Sequence, residues 1–245
     1  GANTNDSIQA LQREMSPLFS KHGDDIALNE KLFERVKSVY ENREKFDLTP
    51  EESKLLEDEY LGFIRSGIGL SPENKEILRK LNSELSLLGV RFSENLLAET
   101  NAFNLVIDNE QDLSGLPEGI RAQAAEAAKA KGMEGKWLFT LHNPSYIPFM
   151  TYAENRALRE KMFRGYSIRG NNGNENDNNQ ILADIIRLRV EKARLLGYKS
   201  HADYVLERNM AKEPETVLNF PAQIWEAALP VAKTEAAAQQ EVIDR

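Results

Sequence analysis

The chain lacks cysteine entirely and contains only three histidines in 245 residues. The absence of cysteine excludes disulfides, thiolate catalysis and cysteine-based metal sites, and it leaves the redox compartment undecided. Long apolar runs are also missing, because none approaches the roughly 18 residues that a membrane-spanning helix needs. No basic start precedes an apolar stretch as in a signal peptide, but the chain opens without Met, so a leader in the parent gene stays open. These features predict a soluble protein without membrane partners, and they leave its location undecided between the cytoplasm and the periplasm.

A basic excess is missing as well, since 31 Lys and Arg stand against 39 Asp and Glu, for a net charge of −8. This balance disfavours a nucleic-acid partner. The nearest approach to a basic patch lies between Tyr152 and Gly170. Its cations are Arg156, Arg159, Lys161, Arg164 and Arg169, interspersed with Glu154 and Glu160. A solvated helix face explains this cluster, and a docking surface for an acidic ligand is the alternative.

Apolar residues recur at helical spacing over most of the chain. Thr49-Pro50-Glu51-Glu52 has the form of a capping box at the start of one helix, and Ser71-Pro72 starts the longest helix in the same manner. Lys75 and most other charges of that helix are expected away from its apolar face. That face is expected to carry Ile77, Leu81, Leu85, Leu88, Phe92 and Leu96. Long amphipathic helices in series predict a mainly α-helical bundle.

Two segments alternate with period two and predict strands instead, at residues 102–108 and 136–141. An Ala-rich helix between them ends at Gly132. The two strands are expected to pair into one small sheet. The predicted organisation is therefore an N-terminal helical bundle over residues 1–101, a small β-hairpin-like insertion with an Ala-rich helix over 102–142, and a helical region over 143–245.

The second half of the chain contains clear loop and helix-end signals. Residues 171–180 include six Asn and one Gly, which predicts an exposed loop before a helix that Gly197 closes. Ser200-His201-Ala202-Asp203 is a second capping box. In the last helical region, Pro221 and Pro230 should each kink or break the helix. Residues 234–245 have no stop signal, so the chain is expected to end inside a helix, as a piece of a longer chain would.

The histidines do not have the spacing of a zinc site. A zincin helix needs His-Glu-x-x-His, because two imidazoles four residues apart face one metal while Glu activates the water. The residues four positions after His22, His142 and His201 are Ile, Tyr and Val. The sequence therefore predicts no metal ligand and no catalytic residue in this chain, and exposed or cap-adjacent histidines instead.

Phosphate-binding motifs are absent too. Gly67-Ile68-Gly69-Leu70-Ser71-Pro72 begins like a dinucleotide loop, but Pro72 stands where a third Gly belongs and no βαβ unit surrounds it. A turn between two helices is the expected structure. Acidic pairs such as Asp24-Asp25 are common in helices and do not by themselves indicate acid–base catalysis.

An ordered series of segments nevertheless resembles a known family. The series consists of Leu116-Pro117 with residues 124–132, residues 136–141, residues 155–161, residues 189–198 ending in Leu-Leu-Gly-Tyr, and Met210-Ala211-Lys212 followed by Pro214. It resembles the region that precedes the catalytic motif in the thimet-oligopeptidase family of zinc metallopeptidases. The Ala-Lys-Ala-Lys-Gly and Met-Ala-Lys motifs are most similar to those of the bacterial peptidyl-dipeptidase (dipeptidyl carboxypeptidase) branch.

The resemblance implies a two-lobed, largely helical peptidase that cleaves short, unstructured peptides in a deep channel. It also implies a zinc ion held by His-Glu-x-x-His and a downstream Glu, and none of these ligands occurs in this chain. The expected role is thus a non-catalytic lobe segment that is inert by itself, binds no zinc, and has the C-terminal catalytic domain of its parent chain as partner. A self-contained helical scaffold or adaptor acting through protein contacts is the alternative. Substrate-binding residues cannot be assigned from the sequence.

Overall fold

The computed structural model describes residues 4–245, and helices dominate this part of the chain. The α-helices are α1 (Asp6–Ala27), α2 (Glu30–Glu41), α3 (Pro50–Arg65), α4 (Pro72–Ala102), α5 (Glu118–Ala130), α6 (Asn143–Tyr152), α7 (Arg156–Ser167), α8 (Asn179–Leu195), α9 (His201–Leu206) and α10 (Pro214–Ile243). Two strands, β1 (Leu105–Ile107) and β2 (Trp137–Phe139), form the small sheet. The predicted mainly α class is confirmed.

The chain divides into two compact units that each combine segments distant in sequence. The described part of unit one contains residues 4–22 and Asn82–Ile186, and unit two contains Gly23–Leu81 and Arg187–Arg245. These units group residues by contact in space. The three continuous regions expected from the sequence therefore stay a prediction about domain organisation.

The sheet lies in the core of unit one. β1 and β2 pair antiparallel with Leu105 opposite Phe139 and Ile107 opposite Trp137, which confirms the predicted pairing over shorter strands. β2 has neighbours in α5 and α6, and Phe139 meets Phe149 of α6 with ring centroids 4.6 Å apart. The buried cluster around the sheet consists of Leu105, Ile107, Leu113, Leu116, Ala124, Phe139, Leu141, Phe149, Ala153 and Met162. This cluster fixes the positions of the surrounding helices of unit one.

The buried face of α4 in unit two differs from the predicted one. Ile77 is 47% exposed, whereas Leu78 is 1% and Lys75 only 8% exposed. Lys75, Leu78 and Leu81 follow one another at three-residue steps and share the buried face. Lys75 is accommodated there because its aliphatic stem packs while its Nζ donates to Oε1 of Glu30 at 2.7 Å.

Both predicted capping boxes start helices. At α3, Thr49 Oγ1 accepts from the backbone N of Glu52 at 3.2 Å, and the Glu52 carboxylate accepts from the backbone N of Thr49 at 2.9 Å. At α9, Ser200 Oγ accepts from the backbone N of Asp203 at 3.2 Å. The second bond there differs from the usual box, because Ser200 Oγ donates to the Asp203 carboxylate at 2.6 Å.

Two expectations about the second half of the chain need correction. The Asn-rich loop is mostly exposed, but Asn178 is 5% exposed because its side chain bonds Asn95 at 3.0 Å and the carbonyl of Phe92 at 3.1 Å. Pro221 and Pro230 were expected to kink or break the last helix; the break is wrong, since α10 runs through both, and a kink stays a prediction. Each proline costs α10 one backbone hydrogen bond, and the exposed carbonyls left free can bind water instead.

Candidate functional site

The three histidines lie in three different settings. His22 is exposed on α1, and His142 is exposed at the N-cap of α6, where it lines a cleft of about 250 Å³ together with Ser145. His201 is the first residue of α9 and partly buried, with its Nδ1 atom enclosed and without a hydrogen-bond partner. Within residues 4–245 no three His, Cys, Asp or Glu side chains are grouped so that they could hold a metal ion. The residues that the structure describes therefore do not fit a zinc site.

His201 has a strongly cationic surrounding in unit two. Burial lowers the pKa of its imidazole below the usual 6.5, and the positive charges of Arg189 and Lys192 lower it further. Burial also lowers the pKa of Lys192, although the negative charge of Asp24 acts in the opposite direction. Asp24 itself is 9% exposed. This arrangement favours the neutral form of the His201 imidazole.

The basic patch between Tyr152 and Gly170 separates into two groups in unit one. Arg159 donates to the backbone carbonyl of Glu154 at 2.9 Å, and Arg169 donates to Thr100 Oγ1 at 2.9 Å while its guanidinium stacks 3.7 Å from the ring centroid of Tyr166. Both of these cations hold the fold together. Lys161 and Arg164 instead point to solvent on α7.

Helix α10 of unit two presents a broad apolar surface. None of its 30 residues is buried, although α9 lies beside it. We call this surface the α10 face, and its large members are Val217 (39% exposed), Leu218 (72%), Phe220 (63%), Ile224 (51%), Trp225 (63%) and Val231 (57%). The prolines and alanines between these residues extend its apolar character. Contiguous exposed apolar area of this kind marks an interaction surface in a folded protein.

Leu196 and Tyr198, which belong to the series that carries the sequence resemblance, serve the packing of unit two. Gly67 adopts φ +90°, and a Cβ there would stand 2.9 Å from Leu196 Cδ2. Arg65 donates to the hydroxyl of Tyr198 at 3.2 Å and to the carbonyl of Tyr204 at 2.6 Å. These contacts join α3 to the turn after α8 and to α9.

Comparison with known proteins identifies relatives of this chain. The model of peptidase family M3 matches residues 149–245. The dipeptidyl carboxypeptidase of Escherichia coli (strain K12) is 36% identical over 244 residues, which cover 100% of this chain and 36% of that protein. The chain is related to the family M3 peptidases. Its resemblance to this family of metallopeptidases, inferred above from motifs, is confirmed.

Two further peptidases match almost equally well. Oligopeptidase A of Haemophilus influenzae is 37% identical over 223 residues, which cover 89% of this chain and 33% of that protein. Oligopeptidase A of E. coli is 35% identical over 234 residues, which cover 94% of this chain and 34% of that protein. The chain thus spans about a third of the length of these relatives.

Within residues 4–245, no helix combines the length and the apolar character needed to cross a membrane. The α10 face begins before Pro221, since Val217, Leu218 and Phe220 already belong to it. Their spacing matches that of Ile224 and Trp225 one turn or two turns on. That periodicity is the signal that would have located the beginning of the α10 face.

Proposed function

We propose that this chain is a non-catalytic segment of a zinc-dependent peptidyl-dipeptidase, which removes C-terminal dipeptides from short, unstructured peptides. The observation that carries the proposal is the 36% identity to a dipeptidyl carboxypeptidase over 244 residues. In this proposal the zinc ion and its His-Glu-x-x-His motif belong to a catalytic domain elsewhere in the parent chain. The segment is inert by itself, because its own histidines have neither the spacing nor the grouping of zinc ligands.

The α10 face supports a structural role for this segment. It offers exposed aromatic and aliphatic side chains, including Trp225 and Phe220, on one continuous helix. Aromatic residues of this kind are enriched where protein surfaces associate. The proposed partner of the α10 face is the catalytic domain of the same parent chain.

A chimera tests the proposal. This chain replaces the aligned segment of the E. coli dipeptidyl carboxypeptidase, and chromatography follows the release of C-terminal dipeptides from N-blocked short peptides. We expect the chimera to release dipeptides at a rate within about tenfold of the E. coli enzyme, because a homologous segment supplies the same supporting contacts. The isolated chain should release none.

Two controls make the result decisive. A chimera that also carries a substitution of one His in the His-Glu-x-x-His motif of the E. coli part must be inactive. A second chimera with the E. coli oligopeptidase A distinguishes dipeptide release from internal cleavage. A folded but inactive first chimera would contradict the proposal and favour a scaffold role. Turnover by the repurified isolated chain, or one tightly bound zinc per chain, would contradict it as well.

A further inference from the structure

We propose that a groove in unit one binds an extended peptide segment that carries acidic side chains. The groove lies where the end of α4, strand β1 and helix α7 meet, and its volume of about 680 Å³ falls within the range of pockets that hold small ligands. We call it the β1 groove. Its principal lining residues are Glu99, Phe103, Val106, Lys161, Arg164 and Ile168. This inference goes beyond the proposed peptidase role, since it concerns binding without cleavage.

The first argument is the free edge of β1. The sheet has two strands, so β1 pairs with β2 on one side only. Leu105 and Val106 line the groove, whereas none of its lining residues comes from β2. The groove thus borders β1 on a side that β2 does not line, and we take this side to include the edge that no strand covers in the described chain. Such an edge presents backbone N–H and C=O groups to which an extended peptide can add as a further strand.

The second argument is the apolar floor beside that edge. Val106 is 38% and Ile168 is 42% exposed, and Phe103 lies between α4 and β1. The backbone of α7 packs directly on the Phe103 ring, because a Cβ at Gly165 would overlap that ring. This close approach holds the floor rigid. Alternate side chains of an added strand point to one face, so every second residue of the peptide would contact this floor.

The third argument is charge. Lys161 has no ion-pair or hydrogen-bond partner among the described residues, and Arg164 is only paired with the exposed Glu160 on its own helix. Such an exposed pair contributes little and leaves the guanidinium available. The one lining carboxylate, that of Glu99, already accepts from the side-chain amides of Asn172 and Asn174. Within a chain of net charge −8, this cationic rim selects acidic side chains.

Fluorescence anisotropy with the purified chain tests the proposal. The probe is a fluorescein-labelled octapeptide of alternating Val and Glu with blocked ends. The comparison peptides are the alternating Val and Lys octapeptide and a Val–Glu octapeptide with N-methylated valines, which cannot complete strand pairing. We expect saturable binding of the Val–Glu peptide that weakens with added salt, and at least about tenfold weaker binding of both comparison peptides.

Variants on one helix locate the binding site. Lys161→Glu and Arg164→Glu should each weaken binding of the Val–Glu peptide by about tenfold, because each replaces attraction by repulsion. Arg156→Glu is the matched control, since it makes the same charge change at an exposed position of α7 outside the groove. The Arg156→Glu variant should bind the Val–Glu peptide with the same affinity as the unsubstituted chain. Circular dichroism confirms that all three variants fold.

Several outcomes would overturn the proposal. They are the absence of saturable binding, equal affinity for the Val–Glu and Val–Lys peptides, and an effect of Lys161→Glu no larger than that of Arg156→Glu. A chain dimer that Lys161→Glu dissociates, without any peptide binding, would assign the groove to a second copy and overturn it too. Since the assay involves no cleavage, its result is independent of the peptidase proposal.

Discussion

At the scale of single residues, the turn between α3 and α4 depends on Gly67. The backbone there has φ +90°, and a Cβ would lie 2.9 Å from Leu196 Cδ2, 2.9 Å from Leu70 Cδ1 and 3.0 Å from Leu78 Cδ2. Gly67→Ala should therefore lower the free energy of unfolding by about 2–4 kcal/mol, from backbone strain together with overpacking. Urea unfolding followed by circular dichroism measures this loss.

Gly69 provides the matched control in the same turn. A Cβ at Gly69 meets no atom within 4 Å, and its backbone does not need a positive φ. Gly69→Ala should leave stability unchanged or raise it slightly, because it restricts the unfolded chain. Equal losses for the two variants would refute the steric explanation for Gly67.

His201 makes the stability of unit two depend on pH. Its pKa is lowered in the folded chain by burial, Arg189 and Lys192, so the unfolded chain binds the proton more tightly. The contribution of neutral His201 to the free energy of unfolding is fully present above about pH 6.5, the usual imidazole pKa. This contribution is lost as the pH falls below that value. Between pH 7.5 and pH 5, the melting temperature should fall less in the His201→Gln variant than in the unsubstituted chain. The exposed His22→Gln serves as control, and an unchanged slope in His201→Gln would contradict the prediction.

Single residues also show what the sequence alone can and cannot predict. The bonds of the Thr49 capping box follow from local spacing, and they form as expected. The burial of Lys75 and Asn178 does not, because it depends on Glu30 and on Asn95 and Phe92, which lie far away in the chain. A polar side chain is buried only where the fold supplies its partner, and the fold is not visible in local sequence.

At the scale of elements, α10 and α4 should differ in protection. Both are long, at 30 and 31 residues, but α10 contains Pro221 and Pro230 and buries no residue, whereas α4 buries Leu78 and Leu88. Helix stability in proteins comes mainly from tertiary packing. Amide hydrogen exchange should therefore be faster after Pro221 than between Pro72 and Leu97. Equal and strong protection in a dilute monomer would contradict this.

The elements themselves are the part of the fold that local sequence specifies best. Apolar spacing and caps predict α3, α4 and α8, and period-two alternation predicts the pair of strands. The buried side of α4 was predicted wrongly at Ile77, because Leu78 is equally apolar and only the neighbouring helices decide between them. At Pro221 and Pro230 the sequence left a kink and a break open, and α10 runs through both prolines. Proline weakens an exposed helix without ending it when the flanking residues favour helix strongly.

At the scale of the whole molecule, the α10 face should make the isolated chain associate. Leu218 is 72% and Trp225 is 63% exposed, and apolar patches of this kind are rare on monomers. Sedimentation velocity should show an average mass that rises with concentration. The double variant Leu218→Gln, Trp225→Gln should reduce this rise, whereas Leu55→Gln, at a 61% exposed position on α3, should not. Identical association of all three proteins would place the contact elsewhere.

The relationship to the family M3 peptidases could be read from the sequence, although no catalytic residue could. The motif series that resembles family M3 contains Gly197 and Tyr198, which shape the packing of unit two. Packing constraints thus leave a recognisable series of residues even without reacting groups. Of the β1 groove, the sequence indicated only the basic patch. Local sequence does not distinguish Lys161, which lines the groove, from Arg159, whose guanidinium binds a backbone carbonyl.

The Asn-rich loop also contains a site that is prone to deamidation. Asn172 precedes Gly173, and an Asn-Gly pair deamidates readily because no side chain hinders attack of the glycine nitrogen on the asparagine amide. Here the Gly173 N–H donates to the Asp177 carboxylate at 2.9 Å, which keeps that nitrogen from the attack. Deamidation would exchange the amide that binds Glu99 for a second carboxylate, so that two negative charges face each other. The rate of deamidation at Asn172 in the folded chain should therefore depend on this hydrogen bond. The Asp177→Ala variant should deamidate faster during storage, as mass spectrometry measures.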